Sequence, residues 1–328
     1  MKGKIYSLAL VVLSLCLVAC DKDTPVPITE GSPIFLSADV VSMDSTRAME
    51  ADVYTGTSVA GMQADVWFSR QIGVYPDNAT PTAPTFLPYR AKVTYDEANP
   101  TTVYVDPVNK SNPLSYPISV GENVYCVGFY PYGSWQSADG KSATHIIDGV
   151  TDVMFADQIV GSWETPFGSQ RYKHLLTWLK IEAEVADVVA IGQWGAVTKI
   201  GVETPMGVTV TFPTSVGVAS TISYSAEKSE INALGSVPEV PLKVTAQEVG
   251  SLLCAPQASI TLKVATTEMA ERSIVVPLYD RDNNLITSPQ QTVGKLIIIN
   301  LYFTAFNNIE ATCSLVPWNE RNADIVGE

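Results

Sequence analysis

"HLLTWLKIEAEV", residues 174–185, decides the fold. Read with a period of two, it places Leu175, Thr177, Leu179, Ile181, Ala183 and Val185 on one face. The other face carries Leu176, Trp178, Lys180, Glu182 and Glu184, and it turns from apolar to charged along the chain. That is the pattern of a β-strand. Outward from it the same signature recurs. Arg90–Tyr95 and Thr101–Val105 alternate polar with apolar residues, and the apolar run Tyr125–Tyr132 is stopped by Pro131. "ITLKVAT" (260–266) and "SIVVPLYDRDNNLIT" (273–287) continue the theme. Leu296–Phe306 and Ile309–Val316 flank Asn307-Asn308, which predicts a hairpin with a tight primed turn.

Few segments show a helical period, and the 21 prolines are spread through loops and strand edges. Many short strands with frequent turns predict an all-β protein, built as two β-sandwich domains. The expected boundary lies in "GSWETPFGSQR", residues 161–171, where the pattern breaks. That divides the chain into an N-terminal sandwich, 34–165, and a C-terminal sandwich, 166–328.

Residues 1–19 read as a signal peptide: Lys2 and Lys4 precede a 15-residue apolar stretch, Ile5–Ala19, too short for a spanning helix. Leu17-Val18-Ala19-Cys20 resembles the bacterial lipobox, which implies a lipidated Cys20 and an outer-membrane anchor. The charged Asp21-Lys22-Asp23 that follows resembles the surface-export signals of Bacteroidetes lipoproteins. Residues 20–33 form a polar, proline-bearing tether. With 20 basic and 34 acidic residues the net charge is −14, which argues against nucleic acid as a partner. Beyond Cys20, the cysteines Cys126, Cys254 and Cys313 have no metal-like or disulfide-like spacing and read as small buried hydrophobes.

Few residues carry the marks of catalytic or metal chemistry. Of the two histidines, His145 and His174, the second sits on a strand among apolar residues and reads as structural. Ser225-Ala226-Glu227-Lys228 matches SxxK, but no SDN or KTG companion follows. "DRDNN", 280–284, opens like a calcium loop. Leu285 stands where that loop needs glycine and Gln291 where it needs glutamate, so a polar hairpin turn is expected. The six tryptophans and 14 tyrosines read as core and strand surface rather than a sugar site. No catalytic residue, metal site or cofactor is assigned, and the chain reads as a binding or assembly protein, not an enzyme.

Several short segments, in order, resemble the fimbrillin family of Bacteroidales surface lipoproteins, the subunits of type V pili. They are the lipobox, "TRA" (46–48), "IGVYP" (72–76), "VYCVGFYPY" (124–132), "DVMFADQ" (152–158), "YKHLLTWLKIEAEV" (172–185) and "VGKLIIINLYFT" (293–304). The resemblance implies a transthyretin-like Greek-key topology for both sandwiches. It also implies a lipid-anchored precursor carried to the outer surface and cut by an arginine-specific protease. The cut, between Arg47 and Ala48, removes the anchor with the first strand (34–47). The resemblance then implies that a C-terminal segment of another fimbrial subunit fills the vacated groove, in a fimbrium that supports adhesion.

The residues can carry that role. In Ile34–Val41, Ile34, Leu36, Ala38 and Val40 share one face, so removing the strand uncovers apolar surface that an incoming strand can cover. Arg47 lies in a polar stretch, whereas Arg70 follows "VWFS" and is expected to be less accessible. The donor-strand candidates are Ile309, Ala311, Cys313 and Leu315, which alternate along one face; the same hairpin could equally complete its own sandwich. The alternative function is that of a monomeric outer-membrane lipoprotein binding glycans or host ligands.

Overall fold

The computed structural model describes residues 31–40, 60–75, 88–105, 108–235, 237–280, 282–305 and 307–317. Its first half holds β1 (Phe35–Leu36), β2 (Ala38–Val40), β3 (Gln63–Ser69), β4 (Tyr89–Thr94) and β5 (Thr101–Thr102). Then come β6 (Val124–Tyr130), β7 (Trp135–Gln136), β8 (Ser142–Ile146), β9 (Met154–Gly161) and β10 (Gln170–His174). The second half begins with β11 (Thr177–Val185), α1 (Val188–Trp194), β12 (Ala196–Pro205), β13 (Gly207–Thr211), β14 (Thr221–Tyr224) and β15 (Lys228–Asn232). It continues with β16 (Val240–Pro241), β17 (Gln247–Cys254), β18 (Ser259–Thr266) and β19 (Arg272–Pro277). A 3-10 turn (Pro289–Thr292), β20 (Lys295–Phe303) and β21 (Ile309–Pro317) complete it. The protein is all-β, as its alternating patterns predict.

A six-stranded sheet, ordered β2-β10-β9-β6-β3-β4, forms the middle of the N-terminal half. Alternation sends its side chains to two cores. Val66, Phe68, Cys126, Met154 and Tyr172 face one core, which Ile34, Leu36, Val103, Leu114 and Tyr116 close from the other side. Trp67, Val127, Phe129 and Phe155 face the second, where Ala143, Val208, Val210 and Phe212 pack against them. That covering layer is the sheet β14-β13-β8-β7, to which the C-terminal half contributes two strands. The central strands are therefore largely apolar on both faces, as Val66, Trp67 and Phe68 of β3 show.

The C-terminal half is a sandwich of β17-β11-β20-β21 against β15-β12-β18-β19. Leu179, Ile181, Ala183 and Val185 from β11 meet Ile200, Val202, Leu262 and Val264 from the facing sheet in one core. The other face of β11 changes as the sequence pattern implies: Trp178 is buried, whereas Lys180, Glu182 and Glu184 are partly exposed. Strand β11 runs parallel to β20 over eight register pairs, Trp178 with Leu296 through Val185 with Phe303.

One long hairpin joins the halves. Strand β12 belongs to the C-terminal sandwich, and after Met206 its continuation β13 pairs with β8. The return strands β14 and β15 divide the same way. The segment expected to separate the domains, residues 161–171, falls inside a sheet: β9 before it and β10 at its end are antiparallel neighbours.

Two local features differ from the sequence expectations. The β20–β21 connection is a five-residue loop, 304–308, because Phe303 pairs with Ile309. Of its two asparagines, only Asn307 takes a positive φ, at 58°. Trp194 Nε1 donates to Thr304 O at 2.8 Å, and Arg272 donates to Asn307 O, so neighbouring side chains shape the loop. The second feature is α1, seven residues that carry no strong helical period. Its ends explain it: the Asp187 carboxylate accepts from Ala190 N at 2.8 Å, and Gly195, at φ 70°, donates to Ile191 O.

Candidate functional site: the groove of the first strand

Residues 33–40 lie in a fork between three segments. Pro33 bridges Ser115, Phe35 and Leu36 pair with Thr102 and Thr101, and β2 then runs parallel to β10 with Ala38 opposite Gln170 and Val40 opposite Tyr172. The Ile34 N–H donates to Leu114 O at 2.7 Å, and Ile34 O accepts from Val103 N at 3.1 Å. Ser32 O accepts from Tyr116 N at 3.0 Å, and Ser37 O accepts from Gln170 N at 2.8 Å.

The side chains alternate as expected. Ile34 and Leu36 are fully buried, Ala38 is 8% and Val40 7% exposed, while Phe35 is 47% exposed. Burying an aliphatic side chain of this size is worth about 1.5–3 kcal/mol, so this face holds on the order of several kcal/mol. Its surroundings are Met62, Ala64, Val66, Phe68, Tyr95, Leu114, Tyr116 and Tyr172 in one core.

A buried polar cluster forms part of the wall. The Tyr95 hydroxyl donates to Gln170 Oε1 and lies 3.0 Å from the Tyr172 hydroxyl. Gln170 Nε2 donates to Cys126 Sγ at 3.3 Å. Burial pushes the Tyr95 and Tyr172 phenols and the Cys126 thiol up, which keeps them protonated. Gly128 makes room for this cluster: a Cβ there would stand 2.1 Å from Tyr172 Oη. Sequence reading missed Gln170, because it lies in the stretch read as a domain break. Its signal was parity, since Gln170 and Tyr172 sit two apart on the inward face of β10.

Cys20, Arg47 and Ala48 lie outside the described residues. Arg70 lies one residue past β3, and its side chain is half-exposed in a 3.6 Å pair with Glu122. The end of the strand, rather than its interior, sets its accessibility. The donor-strand candidates Ile309, Ala311, Cys313 and Leu315 point into their own sandwich core, half-buried, while β21 pairs with β20 over nine residues.

The remaining motifs have structural settings. His174 Nδ1 and Asp152 Oδ2 are 2.6 Å apart, both side chains largely or wholly buried. Ser225 Oγ accepts from Met206 N and Gly207 N where the long hairpin changes sheet. Asp280 accepts from Asp282 N, Asn284 N and Asn284 Nδ2, the closed hydrogen bonding of a hairpin turn. Among the described residues no group of three or more His, Cys, Asp or Glu side chains could hold a metal ion.

No protein-family model matches the chain, and no curated protein does. Solved structures do match. A candidate cell adhesion protein from Bacteroides uniformis is 13% identical, with 87% of this chain and 98% of that chain covered at a TM-score of 0.51. One from Bacteroides ovatus is 16% identical, with 91% and 99% covered at 0.50. A fimbrial protein from Bacteroides vulgatus is 12% identical, with 87% and 99% covered at 0.48. At such identities the likeness is one of fold: the chain has the all-β fold of the Bacteroides uniformis and Bacteroides ovatus proteins over nearly their whole length.

Proposed function

We propose that the chain is a structural or accessory subunit of a cell-surface pilus that supports adhesion, assembled by removal of its first strand and strand exchange between subunits. The observation that carries this reading is the seating of residues 33–40. They are held by a few backbone hydrogen bonds split among separate segments, yet their inward side chains lie at 0–8% exposure. Taking out such a segment leaves its neighbours folded while uncovering an apolar groove with unpaired backbone groups. That is a receptor for another strand, with backbone bonds giving strength and alternate side chains giving register. Before removal the strand blunts an edge that would otherwise pair prematurely.

In this reading the precursor is anchored to the outer membrane through lipidated Cys20. An arginine-specific protease cuts between Arg47 and Ala48, and the released fragment carries β1 and β2 away. The donor is a C-terminal strand with the Ile309, Ala311, Cys313 and Leu315 face. Because β21 is used within its own sandwich, donation requires it to leave β20. A subunit that keeps β21 in place accepts a strand without giving one, which suits an accessory position. The fold shared with candidate cell adhesion proteins supports the surface role.

The test is to treat purified precursor with an arginine-specific protease and follow polymer ladders on gels and the new N-terminus by mass. Ladders with a terminus at Ala48, both lost in Arg47→Ala, are expected. Assembly by Arg47→Ala, or mature cell-surface protein that still begins at lipidated Cys20, overturns the assignment and favours a monomeric surface lipoprotein.

A further inference from the structure

Ser225-Ala226-Glu227-Lys228, the SxxK match, spans the turn between β14 and β15. It stands where the long hairpin passes from one half of the molecule to the other. Beside it a cleft of about 580 Å³ opens between three segments: residues 222–228 of the hairpin, the β17–β18 connection at 256–259, and the 3-10 turn at 288–290. Crevices where two packed units meet are common places for small-ligand sites.

The serine is not poised as a nucleophile. Its Oγ accepts from Met206 N at 3.1 Å and from Gly207 N at 3.2 Å, and its one proton goes to Glu227 O at 3.0 Å. Ser225 therefore braces the rim. The lysine is placed differently. Lys228 Nζ donates to Gln257 Oε1 at 3.1 Å, and it makes no ion pair with a described residue. Gln257 is 8% exposed and held from behind. Its Nε2 donates to Glu203 O at 3.0 Å, and its backbone carbonyl accepts from Thr292 Oγ1 at 3.2 Å. The amide thus presents its oxygen to Lys228. A neutral amide orients the ammonium without cancelling its charge, and two of the three N–H donors stay open to a ligand.

The charge here is one-sided, in a chain of net −14. Among the described residues no carboxylate lines the cleft. Glu203 and Glu230 share the Lys228 face of the β12–β15 pair, and they are bonded to Lys263 and Lys199. The rest of the lining combines hydrogen-bonding groups with flat carbon surface. Among the described residues neither the Ser259 hydroxyl nor the Gln290 side-chain amide has a hydrogen-bond partner, and both residues are exposed. Pro256, Pro289 and Tyr224 supply the carbon surface. The Tyr224 ring is held in place by its hydroxyl, which donates to Leu175 O at 2.6 Å.

We propose that this cleft binds a carboxylate-bearing saccharide, a uronic or sialic acid residue. Its carboxylate meets Lys228, its hydroxyls meet Ser259 and Gln290, and its ring lies against Tyr224 and the prolines. One ammonium matches one carboxylate, whereas a phosphate dianion calls for more positive donors. The volume suits one or two sugar rings. The cleft shares no lining residue with the core around the first strand, so the inference does not depend on how that strand is processed.

The test uses the intact, uncleaved chain and saturation-transfer NMR with three probes: the methyl glycosides of glucuronic acid, of N-acetylneuraminic acid and of glucose. Saturable binding of at least one acidic glycoside is expected, at least tenfold tighter than that of the glucoside. Lys228→Gln should weaken it about tenfold or more, and Gln290→Ala by a smaller factor. Lys243→Gln, beside Val185 at the far end of β11, should leave it unchanged. All three side chains are exposed, so an unchanged thermal midpoint certifies that each variant folds. The proposal is overturned if neither acidic glycoside binds, if the glucoside binds as tightly, or if Lys228→Gln binds as the native chain does. It is also overturned if inorganic phosphate displaces the glycoside at equal or lower concentration, which would make the cleft a general anion site.

Discussion

The first and the last described strands are both edge strands with alternating apolar residues, and they are held in opposite ways. The first has its weight in side chains: Ile34 and Leu36 are fully buried, but its backbone bonds are split between residues 101–103, 114–116 and β10. The last has its weight in the backbone. It pairs with β20 without interruption from Ile309 to Pro317, while its inward residues are only half-buried. A continuous ladder forms and breaks as a unit with its neighbour. A segment wedged among separate elements can leave without unravelling any one of them. Two strands that look alike in sequence are thus suited to different fates.

The sharpest way to break this contrast is thiol labelling. Cys126 shares the core of the first strand and Cys254 lies in the C-terminal sandwich, both fully buried with burial raising their thiols. Cys313, on the last strand, is partly exposed. In the native chain, peptide mapping after alkylation should show Cys126 and Cys254 reacting about a thousandfold more slowly than Cys313. Removal of the first strand should expose Cys126 and leave Cys254 protected. Equal labelling of Cys126 before and after would deny that the strand covers that core.

Next in size is Leu36→Ala, which should cost the N-terminal half about 3 kcal/mol in urea denaturation, since it empties a fully enclosed site. Gly128→Ala tests the wall beneath. The added methyl meets Tyr172 Oη at 2.1 Å and Cζ at 2.6 Å, so a loss of about 2 kcal/mol is expected from overpacking. On the last strand Leu315→Ala should cost about 1 kcal/mol, because its site is already half open to water. If it costs as much as Leu36→Ala, the contrast in burial has no energetic meaning.

The smallest effect is electrostatic and confined to the C-terminal sandwich. Glu230 bonds to Lys199 at 2.6 Å and Lys263 at 3.1 Å, and the Lys199 ammonium chiefly holds its carboxyl below the ordinary glutamate value. A folded-state value below the unfolded one contributes stability at neutral pH that is lost as pH falls through the carboxylate range. The group is largely solvated, so after screening the contribution is about 0.5 kcal/mol or less. The thermal midpoint should fall slightly more steeply with acid than in Glu230→Gln, and high salt should erase the difference.

Much of this was legible in advance. The period of two in residues 174–185 shows an interior face running from Leu179 to Val185, and the parity of Ile34, Leu36, Ala38 and Val40 shows which face of the first strand is buried. The partner of that strand was not legible. Gln170–His174 sits behind Pro166 and Gly168 in a stretch that local chemistry reads as a break, and its role appears only when β10 is placed beside β2. Helix α1 escaped for a related reason: at seven residues its periodicity is too short to register, and two end residues define it.

By itself the sequence determined that the chain is all-β, where most strands lie and which side chains turn inward, because alternation and turn chemistry act between residues close along the chain. Only the tertiary structure decided that β2 lies parallel to β10 and that the β12–β15 hairpin straddles both halves. Those outcomes depend on pairings between segments up to about 130 residues apart, such as Asp39 with Ser169. A local pattern that fits many partners equally well cannot choose among them, whereas the fit of one shared core can.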